Sequence, residues 1–159
     1  MYENIVVGTD GSATASKAVS RAAELAASAS AALVIVSAFR PVPQERLRAE
    51  RSEAPEEVAY RVNAREEVDH ILAEAKKLAE SCGVERIRTE AVDSGPAEAI
   101  IDIAEAIAAD VIVVGSQGMT GAKRFLLGSV PNRISHHTPC DVLIVKTDPG
   151  PGGSEEPGT

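Results

Sequence analysis

A buried-strand pattern that runs straight into a glycine-studded loop constrains this chain more than any other feature. Val111-Ile-Val-Val114 is wholly apolar and mostly β-branched, which reads as a short strand covered on both faces. Gly115 ends the run and lets the backbone turn. Gly118, Gly121 and Gly128 follow, and Gly128 leads into Ser129 and Val130. At Gly118 the missing side chain lets a ligand approach the main chain. A small hydroxyl residue ahead of a helical segment is an N-cap pattern. Free N–H groups at a helix start attract phosphate through unsatisfied donors and the helix dipole. The stretch therefore predicts a phosphate cradle at the carboxyl end of a parallel strand. No Gly-Lys-Ser/Thr follows the loop, so it is not a Walker A site.

The remaining elements fall on either side of this stretch. Asn4 to Thr9 reads as the first strand, Asp10-Gly11-Ser12 as a tight turn with Ser12 an N-cap, and Ala13 to Ala29 as an alanine-rich helix. Ala32 to Ala38 is the second strand. Residues 40–57 mix prolines with Arg and Glu and read as a mobile loop or short helix, or more plainly as a solvated lid or surface segment. A long helix is expected from Val58 to Ser81, closed near Gly83. Ile87 to Val92 is the third strand, and Pro96 opens a helix over Ala97 to Ala108. A short helix from Val130 to His137 and a last strand from Val142 to Val145 complete the set. Residues 148–159 are rich in Gly, Pro and Glu and are expected to be disordered. Strands alternating with helices predict one α/β domain, a doubly wound parallel sheet with helices on both faces.

Bulk properties narrow the function. With 159 residues, one domain over 1–147 is expected, and 3% aromatic content leaves a core of Ala, Val, Ile and Leu. A net charge of −8 argues against nucleic-acid binding. No apolar run approaches the ~18 residues of a membrane span. The opening Met1-Tyr-Glu-Asn has no signal-peptide pattern, and two cysteines, Cys82 and Cys140, suit a reduced chain, so a cytoplasmic location is expected.

Three segments in order carry a resemblance: Asn4-Ile-Val-Val-Gly-Thr-Asp10-Gly-Ser12, the Gly115-x-x-Gly118 … Gly128-Ser129 loop, and Pro139-Cys-Asp-Val-Leu-Ile-Val-Lys146. Together they resemble the nucleotide-binding subgroup of the universal stress proteins (UspA-like) over about residues 1 to 147. The resemblance implies strand order 3-2-1-4-5, an adenine nucleotide alpha hydrolase-like fold. Strands 1 and 4 would then be neighbours at a topological switch point, where such sheets hold ligands. It implies nucleotide contacts at Gly8, Thr9, Asp10, Ala38, Val114, Gly115, Gln117, Gly118, Gly128, Ser129 and Val130, with the main chain of Ala38 on adenine. It also implies a homodimer paired through the 141–147 edge strand, whose apolar residues would otherwise lie exposed.

Local chemistry offers plainer readings of some of these residues. Asp10 could hold ribose or only cap its own turn, since Asp-Gly is turn chemistry. Lys123 and Arg124 could meet outer phosphates or be solvated. His136 and His137 face different directions on a helix and do not make a metal site. No nucleophile or positioned base is visible. The expected function is an adenine-nucleotide-binding sensor or regulator of the stress response, without catalysis. ATP with Mg²⁺ is the first expectation for its ligand, and cyclic AMP the alternative. A slow ATPase or phosphoryl-transfer enzyme is the competing class.

Overall fold

The computed structural model describes residues 1–39, 65–116, 129–138 and 140–146. The expected loop over 40–57, the expected start of the long helix over 58–64, the glycine loop over 117–128 and the tail over 148–159 lie outside the described residues. Five strands are described: β1 (Asn4–Gly8), β2 (Ala32–Phe39), β3 (Ile87–Asp93), β4 (Val111–Gly115) and β5 (Asp141–Val145). Four helices accompany them: α1 (Ala13–Ala29), α2 (Arg65–Ser81), α3 (Pro96–Ala106) and α4 (Ser129–His137). All strand pairs are parallel, in the order β3-β2-β1-β4-β5. This is the order that the sequence resemblance implies.

Alternation along each central strand sends side chains to both faces. Ile5, Val7, Leu33, Ile35, Val111 and Val113 face α1 and α2. Val6, Val34, Val36, Ile112 and Val114 face α3 and α4. Each fully buried Ile or Val contributes roughly 1.5–3 kcal/mol through removal from water. Helix α1 presents Ala18, Val19, Ala22, Ala23 and Ala26 to the sheet. Small side chains let its backbone lie close, which is how a nearly aromatic-free chain fills its interior.

The ends of the elements have local causes. Ser12 caps α1 by accepting from Ala15 N at 3.1 Å. Ser30 ends that helix in the left-handed region, with φ 54°. Pro96 is the first residue of α3, one earlier than expected. The helix stops at Ala106 rather than at the expected Ala108, because Ala108 turns to φ 53°.

At the amino end of the sheet Asp110 acts as a staple. Its Oδ2 accepts from Glu3 N at 2.7 Å and from Asn4 N at 2.8 Å. These two backbone donors hold its carboxyl below the usual carboxylate range. Tyr2 adds a second tie, donating its hydroxyl to Asp141 at 2.9 Å.

Because the folded-state pKa of Asp110 is depressed, its contribution is present above the unfolded value and lost as pH falls through the folded one. Denaturant titrations of the parent and of Asp110→Asn should therefore differ most near neutrality and converge in acid. A gap that stayed constant with pH would contradict the staple. At the β1–α1 turn, Gly11 has φ +84°, and a Cβ there would meet Ile71 atoms at 2.8 and 2.9 Å. Gly11→Ala should lose about 1–2 kcal/mol from left-handed strain alone. That corresponds to a melting temperature lower by roughly 2–8 °C.

Candidate functional site

The carboxyl ends of β1 and β4 lie side by side. The connection from β1 leads to α1 on one face, and α4, which follows β4, packs on the other. Connections that part in this way leave a crevice above the strand ends. Thr9, Asp10 and Gly11 come to it from β1, Ala38 from β2, and Gly115 and Ser116 from β4.

The β1 side of the crevice is tightly bonded. Thr9 N donates to Val36 O at 2.9 Å, extending the ladder one residue beyond β1. Thr9 Oγ1 accepts from Gly11 N at 3.1 Å. Asp10 Oδ1 accepts from Ser12 N at 2.9 Å. The turn-capping role weighed for Asp10 is thus present, and among the described residues it occupies one carboxylate oxygen. Asp10 Oδ2 takes no hydrogen bond from them, and the side chain is only half-buried. Among the described residues, one oxygen is committed to the turn and the other is left without a partner.

Ser37 lies below this turn. It is 2% exposed in a run of apolar neighbours, and its hydroxyl donates to Thr9 O at 2.8 Å. At the end of β2, Phe39 O accepts from Ser94 N at 3.1 Å. The Arg65 guanidinium stands 5.3 Å from the centre of the Phe39 ring. It also pairs with Asp69 at 3.1 Å, an exposed contact of the kind that contributes only about 0.3–0.5 kcal/mol. On β4, Ser116 N donates to Val145 O at 2.7 Å.

Some of the candidate residues have packing duties. A Cβ at Gly8 would run into the Ile100 side chain, so glycine there lets α3 sit against β1. Val114 is 3% exposed in the core between sheet, α3 and α4, which leaves only its main chain for a ligand. Ala38 and Val130 are half-buried against the same core. Gln117, Gly118 and Gly128 lie outside the described residues, as do Lys123, Arg124 and the side chain of Ser129. Sequence reasoning passed over Ser37, and its one signal is a lone hydroxyl within the strand ALVIVSAF.

Other chemistry is sparse among the described residues. No cluster of three or more His, Cys, Asp or Glu is placed to hold a metal ion. His136 and His137 are exposed, and His136 Nδ1 lies 2.8 Å from Asn132 O. Cys82 and Cys140 are free thiols, both partly buried. No described helix is long and apolar enough to cross a membrane.

Comparison with known proteins agrees with this architecture. The family model for the universal stress protein family matches residues 1–146. A universal stress protein of Mycobacterium tuberculosis H37Rv is 36% identical over 146 residues, covering 92% of this chain and 97% of that protein. One from Methanocaldococcus jannaschii is 37% identical over 147 residues, covering 92% and 83%. Among solved structures, a universal stress protein in complex with cAMP matches with a TM-score of 0.71 and 35% identity, covering 92% of this chain and 98% of that one. The chain belongs to the universal stress protein family.

Proposed function

We propose that this protein binds an adenine nucleotide in the crevice above β1 and β4 and acts as a non-catalytic sensor or regulator. The observation that carries the reading is the turn at the switch point. It holds Asp10 by one carboxylate oxygen, leaves the other open among the described residues, and faces the end of a strand that leads into the glycine loop. In this reading Asp10 takes the ribose, Thr9 and the main chain at Ala38 border the base, and the main chain at Gly8, Val114 and Gly115 lines the floor. Gln117, Gly118, Gly128, Ser129 and Val130 receive phosphate. The pattern of small residues and backbone donors suits an anion in a chain whose net charge is −8, because local dipoles do not depend on the global field.

Cyclic AMP is the first ligand to test, because a solved relative 35% identical to this chain is in complex with cAMP. Its single charge and compact ring need no metal. ATP with Mg²⁺ is the second reading. Helix-terminus interactions contribute only about 0.3–1 kcal/mol each at exposed sites, so a triphosphate would need the ion to neutralise its outer oxygens. A regulator that works by binding has no use for a positioned base or nucleophile, and among the described residues no hydrogen-bonded pair of that kind includes Asp10. We place the protein in the cytoplasm, consistent with its free thiols.

We also propose a homodimer paired through β5. Leu143 on this edge strand is 38% exposed, one of the large apolar side chains the described residues leave open. A second copy would cover it and satisfy the strand edge.

Titration calorimetry with cyclic AMP and with ATP, each with Mg²⁺ or EDTA, separates the ligands. Cyclic AMP should bind equally with and without EDTA, and any ATP binding should weaken when Mg²⁺ is removed. Heat from neither nucleotide in either buffer would refute the adenine-nucleotide reading. Light scattering at micromolar concentration should return twice the chain mass, and Leu143→Glu should shift it to the monomer. A parent chain that scatters as a monomer rules out the β5 pairing.

A further inference from the structure

We infer that Ser37 is a positioning residue for nucleotide binding: its buried hydroxyl sets the direction in which Asp10 enters the crevice. This rests on the nucleotide reading of the crevice. Ser37 shares its face of β2 with Leu33 and Ile35, both fully buried. An apolar residue would satisfy packing at that place. A hydroxyl there is costly unless it is bonded, and this one donates to Thr9 O at 2.8 Å across 28 residues of sequence.

The acceptor is what gives the bond its consequence. The carbonyl of Thr9 and the N–H of Asp10 belong to one planar peptide group. Fixing the oxygen fixes that plane, and with it the bond along which Asp10 leaves β1. Strand β2 therefore holds Thr9 twice, through Val36 O on its N–H and through Ser37 on its carbonyl. Beyond this anchor the turn closes on itself, with Gly11 N on Thr9 Oγ1 and Ser12 N on Asp10 Oδ1. The second carboxylate oxygen has no comparable tether among the described residues, so its aim depends on the plane beneath it. Ser37 touches no ligand in this arrangement and acts only through Asp10.

The test is a double-mutant cycle on the full chain, with cyclic AMP and Mg²⁺-ATP as the probes in titration calorimetry. Ser37→Ala should fold and weaken the affinity of whichever probe binds the parent by about tenfold, the effect of one misdirected hydrogen-bonding group. In an Asp10→Asn background the charge-assisted contact is already gone, and adding Ser37→Ala should cost less than about twofold. A merely structural role would instead lower the melting temperature and leave the two affinity losses additive. If circular dichroism shows Ser37→Ala unfolded, Ser37→Cys keeps the volume with a weak donor and should show a loss in the same direction. Unchanged affinity in these variants, or a full tenfold loss in the Asp10→Asn background, overturns the inference while leaving the nucleotide reading intact. A parent chain that binds neither probe overturns both.

Discussion

Strands β1, β2 and β4 have no solvated face: Ile5 and Val7 point one way, Val6 the other, and all three are fully buried. That single requirement forces helices onto both sides of the sheet. Helices on both sides require crossovers that leave the central strands in opposite directions. The crevice is the geometric remainder of that parting. Its floor consists of main chain and turn residues because the apolar side chains are committed to the two cores.

Polar groups are concentrated at the two ends of the strands, and the ends are used differently. At the amino end, Asp110 and Asp141 bind the first residues of the chain, through backbone N–H groups and the Tyr2 hydroxyl. Burying apolar strands leaves end groups needing partners, and carboxylates supply them there. At the carboxyl end the partners are hydroxyls and one half of the Asp10 carboxylate. The first residues are thereby tied down at the amino end, whereas Asp10 keeps an acceptor open among the described residues.

Continuous apolar runs, helical spacing and turn chemistry made the strands, the helices and the Asp10 turn legible in the sequence. The strand order came from the family resemblance rather than from any pattern, since periodicity says nothing about which strands are neighbours. The helix ends were misjudged by one or two residues where backbone geometry decides, as at Ala108. Interactions spanning the sheet could not be read at all. The bond from Ser37 to Thr9, the Asp110 contacts and the Gly8–Ile100 packing join residues far apart in sequence. They exist only once register is set. Among the candidate residues, the positions of Asp10 and Gly115 at strand ends were legible because each lies beside a turn signal. Ser37 carried no such mark.

The closed bonding of the β1–α1 turn bears on the thermodynamics of any molecule that settles there. Thr9, Gly11 and Ser12 already have their amide protons in use. Ordering side chains and loops is a main cost of association, about 0.5–1.5 kcal/mol for each immobilised flexible side chain. This part of the floor has little freedom left to lose, so it can meet a ligand without that entropic penalty. Binding here would register as contact enthalpy and released water, with the backbone of the turn almost unmoved.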